Sequence, residues 1–221
     1  MIFRGVIGMF VMLALQVGKA GILPGEAWTN NLAMMRVAPG AIGRSNAIPV
    51  ILQSYRPDAV VGGIVFLPSV CDQFYLIERG KPLEIAGSNL WEVIAALTNQ
   101  TSVRATFIEP FLIVHMARDQ LTPRIKIAHR PSALQLQQTT RWPDLFLIDQ
   151  HWERVQPELN RRWQRKVTPA KSSEDAWHFG RNNVVGAYLT DWQVLQALSL
   201  TSHTTVTINR KSLGFSPRQG L

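Results

Sequence analysis

The chain has 221 residues, 46% of them hydrophobic and 17% charged, a mix that buries a core and excludes a disordered chain. Its formal net charge of +8 suits anionic partners and equally suits an ordinary basic exported protein. A single cysteine, Cys71, excludes an intrachain disulfide; it follows the apolar stretch Phe66–Val70 and reads as a small buried hydrophobe.

Residues 1–20, MIFRGVIGMFVMLALQVGKA, place Arg4 ahead of an apolar run from Gly5 to Leu15. Gly18 and Ala20 then put small residues before a cut after Ala20. This is the pattern of a secretory signal, and the run is shorter than the ~20 residues a bilayer span needs. No cysteine stands at the end of this run, so a lipoprotein is not expected. The expectation is export to the periplasm or beyond, with an uncleaved N-terminal membrane anchor as the alternative. Cleavage removes Arg4 and Lys19 and leaves a net charge of +6.

Residues 21–63 are rich in Gly, Pro, Ala and Asn and have poor periodicity. They read as an extended arm or linker with one short strand at Ile48–Leu52. Residues 64–209 form the expected α+β domain. Ile64–Leu67 and Phe74–Ile77 are short strands, Glu78–Lys81 is a turn, and Leu83–Ala86 is a further strand. Asn89 with Glu92 three residues on makes a capping box, and Leu90, Val93, Ile94 and Leu97 form one apolar stripe of a helix. Val103–Ile108 and Phe111–Met116 are strands around a hairpin corner at Glu109-Pro110. Arg124–Ala128 and Leu145–Ile148 are strands. Asp149 is the expected N-cap of a helix running to about Lys166, kinked by Pro157 or beginning near it. Asn183–Leu189 is a strand, and Thr190 with Gln193 makes a second capping box. Val194, Leu195 and Leu198 line the next helix, and Thr204–Asn209 is a strand. Residues 210–221 read as a turn and a loose tail.

A shift of 101 lays residues 89–107 on 190–208. Trp91 then meets Trp192, Val93 meets Val194, Ala96 meets Ala197, Leu97 meets Leu198 and Thr106 meets Thr207. The capping pairs coincide too. Similar units near 83–116 and 183–209 cannot bury their helices alone, so they are expected to share a sheet. The predicted fold is α+β: a mixed or antiparallel sheet with two or three helices on one face, built around two strand-helix-strand units.

These units, through Leu83-Glu84-Ile85, Leu90-Trp91-Glu92-Val93-Ile94-Ala95-Ala96-Leu97-Thr98-Asn99-Gln100-Thr101-Ser102-Val103 and Tyr188-Leu189-Thr190-Asp191-Trp192-Gln193-Val194-Leu195-Gln196-Ala197-Leu198, resemble the short N-terminal domain of secretins and TonB-dependent receptors. The resemblance implies a periplasmic protein–protein interaction module attached to envelope or secretion-system proteins. It carries over no catalytic residue.

For acid–base chemistry the candidates are Asp149, His151 and Glu153, with Asp149 and Glu153 four residues apart on one expected helix face. The structural alternative makes Asp149 a cap and sets Glu153 against the helix dipole. The five histidines show no metal-binding spacing, and no phosphate-binding or nucleophile-elbow motif occurs; no cofactor is expected. Arg161, Arg162, Arg165 and Lys166, interleaved with Trp152 and Trp163, form a basic stretch. It suits an anionic polymer or surface, or a helix with tryptophans inward and arginines outward. The functional expectation is a non-enzymatic envelope interaction or assembly protein. The alternatives are an enzyme using the Asp149, His151 and Glu153 group, or a binder of nucleic acid or an anionic surface.

Overall fold

The computed structural model describes residues 26–38, 42, 46–56, 62–70, 82–85, 87–138, 142–168 and 181–218. The leader at 1–20, Cys71 and the strand and turn expected at 74–81 lie outside these residues. The chain is α+β. In order it forms α1 (Glu26–Met34), α2 (Ala47–Ser54), β1 (Gly62–Phe66), α3 (Leu90–Gln100), β2 (Arg104–Ile108), β3 (Phe111–His115), β4 (Arg124–Ile127), α4 (Arg130–Gln138) and β5 (Leu145–His151). There follow α5 (Trp152–Trp163), β6 (Lys166–Thr168), β7 (Arg181–Ala187), α6 (Asp191–Thr201), β8 (Thr204–Ile208) and β9 (Ser212–Pro217).

The strands divide between two mixed sheets. Sheet 1 has the order β2-β3-β1-β7-β5 and sheet 2 the order β4-β8-β9-β6. Sheet 1 is central because its middle strands are apolar on both faces, the pattern of a strand buried on both sides. Ile64, Phe66, Leu112, Val114, Val185 and Ala187 point into one core with α1, α2 and α3. Val65, Phe111, Ile113 and Val184 point into a second core. That second core also takes the inward side chains of α4, α5 and α6 and of sheet 2, including Val206, Ile208, Leu213 and Phe215. The result is four layers: helices, sheet 1, helices, sheet 2.

The extended arm expected for residues 21–63 is replaced by two helices and their flanking residues. Trp28, Leu32, Met35, Ile48, Ile51, Leu52 and Tyr55 are all core. The stretch expected as a strand at Ile48–Leu52 lies within α2. Its apolar residues recur on one helical face, with Ala47, Ile48, Ile51 and Leu52 buried, a 3.6-residue period hidden by the surrounding prolines and glycines. Tyr55 closes the segment by donating its hydroxyl to the Gly62 carbonyl at 2.8 Å. Gly62 itself has φ +128, and a Cβ there would meet the Pro110 carbonyl and the Trp28 ring, so glycine is required. Leu83–Ile85 is not strand. The loose tail expected from 210 gives way to β9, and α4, which periodicity did not reveal, packs Ala133 and Leu136 into the second core.

The repeat is structural and longer than the matched residues. Both capping boxes form: Asn89 Oδ1 accepts the Glu92 N–H at 3.0 Å, and Thr190 Oγ1 accepts the Gln193 N–H at 3.2 Å. At the helix ends, the hydroxyls of Thr101 and Ser202 donate to the carbonyls of Leu97 and Leu198, each at 2.6 Å. Val93, Leu97, Val194 and Leu198 are fully buried, while Trp91 packs against the first core and Trp192 against the second. The hairpins keep the same 101-residue shift in their register. Arg104 opposes His115 as Thr205 opposes Ser216, and Thr106 opposes Ile113 as Thr207 opposes Gly214. In each unit a further strand runs parallel to the hairpin's second strand, β1 beside β3 and β6 beside β9. Each unit is therefore βαββ, one per sheet. The second is interrupted by β7, which leaves it to pair with β1 and β5 in sheet 1.

Candidate functional site

The acid–base candidates do not assemble as expected. Asp149 is not a helix cap. It sits within β5, where the pairing with β7 shifts between Leu147 and Gln150, and has φ +54. Its N–H donates to Asn183 Oδ1 at 2.9 Å. His151 is the residue that precedes α5 and makes no side-chain cap bond, and Glu153 lies in that helix's first turn. All three are exposed. A strand bulge, a strand end and a helical turn replace the shared helix face expected of Asp149 and Glu153. Among the described residues, no group of three or more His, Cys, Asp or Glu is placed to hold a metal ion.

The basic stretch is also rearranged. Helix α5 ends at Trp163, with Gln164 in the left-handed conformation, so Lys166 belongs to β6. Pro157 lies inside the helix. Trp152, Val155, Leu159 and Trp163 form the buried stripe. Arg161 and Arg162 both engage Glu158, at 2.6 and 2.5 Å, and the Arg162 guanidinium stacks 4.3 Å from the centre of the Trp142 ring. Hydrogen bonds from these two arginines hold the Glu158 carboxyl down at about 2. Arg165 is a cross-link: its guanidinium donates to Ser132 Oγ at 3.1 Å, the Arg210 carbonyl at 2.8 Å and Gln135 Oε1 at 2.7 Å. It ties the end of α5 to α4 and to the β8–β9 turn. The four cations expected to line one face are thus committed to an ion pair, a cross-link and a strand.

A different basic surface appears on sheet 2. Strand side chains alternate between faces, and the inner face is apolar. The outer face carries Arg124, Thr205 and Ser216 in one row, then Lys126, Thr207, Gly214 and Thr168 in the next, with Ser212 beside Lys166 after that. Arg124, Lys126, Lys166, Thr168 and Ser216 are exposed. None of the four strands contains an acidic residue. Arg210 and Lys211 are exposed in the β8–β9 turn at the end of the sheet. Gly214 has open space where a Cβ would stand, which leaves the middle of the face low. An open groove of about 760 Å³ crosses the first row, lined by Arg124, Lys126, Thr205, Ser216 and Pro217 among others.

Behind this groove lies a buried cation. Arg218 is 7% exposed. Its Nε donates to the Thr204 carbonyl at 3.2 Å, and its Nη2 to the carbonyl and hydroxyl of Ser199, each at 3.1 Å. Its Nη1 has no hydrogen-bond partner among the described residues. The groups that hold Arg218 are neutral oxygens rather than a carboxylate. Burial and the charge of Arg124 push it down to about 10, still protonated at neutral pH. Burial, reinforced by Arg218, also lowers the neighbouring His203. Sequence reasoning named Lys166 but grouped it with the arginines of α5, because the β4 pair Arg124 and Lys126 and the buried Arg218 lie far from it in the chain. The one available signal was the apolar–charged alternation of Arg124–Ala128.

The third surface is the set of sheet borders. β2 and β5 border sheet 1, and β4 borders sheet 2. Each of these strands carries one exposed large apolar residue: Ile108 at 42%, Phe146 at 42% and Ile127 at 50%. The fourth border, β6, is covered, because Asn160 Oδ1 accepts the Val167 N–H and Gln156 Nε2 donates to the Val167 carbonyl, both at 2.7 Å. No described helix is long and apolar enough to cross a membrane. No family model, curated protein or solved structure matches the chain.

Proposed function

We propose that the protein is a non-enzymatic interaction and assembly module of the cell envelope, acting outside the cytoplasm after loss of residues 1–20. The observation that carries this reading is the state of the sheet borders. Strands β2, β4 and β5 each end a sheet and each expose one large apolar side chain. A border strand offers unpaired backbone donors and acceptors to an added strand, and the apolar residue supplies side-chain contact beside that ladder. The two βαββ units support the resemblance to the short N-terminal domain of secretins and TonB-dependent receptors, and with it partners among secretion or outer-membrane transport proteins. The leader-like pattern at 1–20 supports the compartment.

The test is site-specific photo-crosslinking in the native host, with the cross-linking residue placed in turn at Ile108, Ile127 and Phe146 and a control at exposed Arg161. Adducts with secretion or outer-membrane transport components from the border positions, absent from the control, are expected. So is a mature N-terminus at Gly21. Recovery of bait alone, still beginning at Met1 and in the soluble cytoplasm, sinks the reading.

A further inference from the structure

Among the described residues the outer face of sheet 2 is a hydroxyl-lined basic surface whose strands carry no acidic residue, with a groove across it, and the border strands of the proposed docking role do not account for it. We infer that this face binds a linear phosphodiester chain through its backbone. The cations stand at the rims, Arg124 and Lys126 on β4 and Lys166 on β6, three strand spacings apart, or ~14 Å. Between them stand the hydroxyls of Thr205, Thr207, Thr168, Ser212 and Ser216. Guanidinium, ammonium and hydroxyl donors are the side chains that contact phosphate oxygens without reading sequence.

Shape selects a chain over a plane. The low centre at Gly214 and the groove beside Arg124 receive a polymer lying between the rims, whereas a bilayer surface meets only the rim charges. Arg124 and Lys126 lie two residues apart on β4, ~6.7 Å along the strand, a spacing suited to successive phosphates of an extended chain. Composition selects the backbone over the bases. Phe215 points into the core, and among the described residues no aromatic side chain stands on the outer face, so base stacking is not called on. Buried Arg218, held by neutral oxygens, adds positive potential behind the groove where Arg124 meets the ligand.

The experiment is fluorescence anisotropy of the full chain with 5′-fluorescein-labelled 20-nucleotide oligodeoxythymidylate at 50 to 200 mM NaCl. Engagement of three phosphates gives a slope of log affinity against log salt of about −2 for a single strand, an approximately 20-fold loss across that range. Oligodeoxyadenylate of the same length binds within about twofold. The double variant R124Q/K126Q loses about tenfold in affinity at 100 mM salt, and its slope falls to about −0.7 as one phosphate contact remains. R161Q/R162Q, on α5, stays within twofold of the parent. All substituted positions are exposed, and a melting curve for each variant excludes unfolding. R124K, which keeps the charge, retains most of the binding. The inference is overturned by absence of salt-dependent oligonucleotide binding, or by an R124Q/K126Q variant that binds like the parent. It is equally overturned if the protein binds vesicles of 30% phosphatidylglycerol or a sulfated polysaccharide while leaving the oligonucleotide free.

Discussion

Single hydroxyls and amides decide how the layers of this molecule are held in register. Thr201 is 1% exposed; its Oγ1 accepts the Asn183 N–H at 2.8 Å and donates to the Phe66 carbonyl at 3.0 Å. One side chain thus links α6 to β7 and β1. Thr201→Val keeps the shape and removes the acceptor, leaving a buried N–H unpaired. A loss of about 1–3 kcal/mol is expected, read as a lower urea midpoint at unchanged m-value; a midpoint within error of the parent refutes it. The caps act more weakly. Asn89→Ala and Thr190→Ala each remove the acceptor for one orphan helix N–H, and each is expected to cost about 1 kcal/mol. The two helices pack in different cores, so the double variant should show the sum. Both caps were legible in the sequence, because a capping box depends only on residues three apart. The role of Thr201 was not, since its partners lie 18 and 135 residues away.

Among the elements, α2 provides the sharpest contrast with the sequence expectation. Ile51 is fully buried against sheet 1, so Ile51→Ala should cost about 2–5 kcal/mol in equilibrium unfolding. A linker residue would cost nothing measurable. Composition misled here because Pro49 sits in the first turn of α2, where a helix tolerates proline, and does not mark an extended linker. Helix α5 was misplaced for a related reason. Asp149 looks like an N-cap, but a β-bulge ahead of the helix turns the chain, and its cap position falls to His151. On that helix Glu158 is held at about 2 by Arg161 and Arg162, below its ordinary value. A carboxylate depressed in the folded state stabilises fully above its unfolded pKa and loses that contribution as pH falls through the folded pKa. The window is therefore pH 4.5 down to 2. Because the Glu158 side chain is 42% exposed, solvent screening limits the pair to about 0.2–1 kcal/mol. Glu158→Gln should lower stability by this amount near neutrality and converge on the parent as pH falls through that window.

For the whole molecule, the four-layer arrangement makes the charge of the buried groups a global property. His203 is lowered chiefly by burial, with Arg218 adding to it. A histidine lowered in the folded state is protonated first in the unfolded state, so stability is complete above pH 6.5 and declines as pH falls below it. Thermal unfolding between pH 7 and 5 should therefore show a decrease in melting temperature that His203→Asn removes. Asparagine is chosen because residue 203 has φ +49, which it tolerates. An unchanged slope in the variant would place the effect elsewhere. The same layering explains why sheet 2 presents a polar outer face: β8 and β9 spend their apolar residues, Val206, Ile208, Leu213 and Phe215, on the second core and leave threonine, serine and glycine outside. The basic face exists because β4 and β6, from distant parts of the chain, supply the borders of that sheet.

Local signals were enough to define the α+β character, the two capped helices, the hairpin around Glu109-Pro110 and the 101-residue repeat, but not β9 of the second hairpin. Caps, stripes and β-branched alternation are written within a few residues of one another, and the repeat needs only the chain compared with itself. Tertiary structure alone decided that the strands form two sheets, that β7 leaves its own repeat to join the other sheet, and that α1 and α2 pack into a core. It also decided that Arg161, Arg162 and Arg165 serve internal contacts while Arg124, Lys126 and Lys166 share an open face. Strand order and cation placement depend on which distant segments pack together, and packing is settled by burial across the whole chain rather than by any window of it.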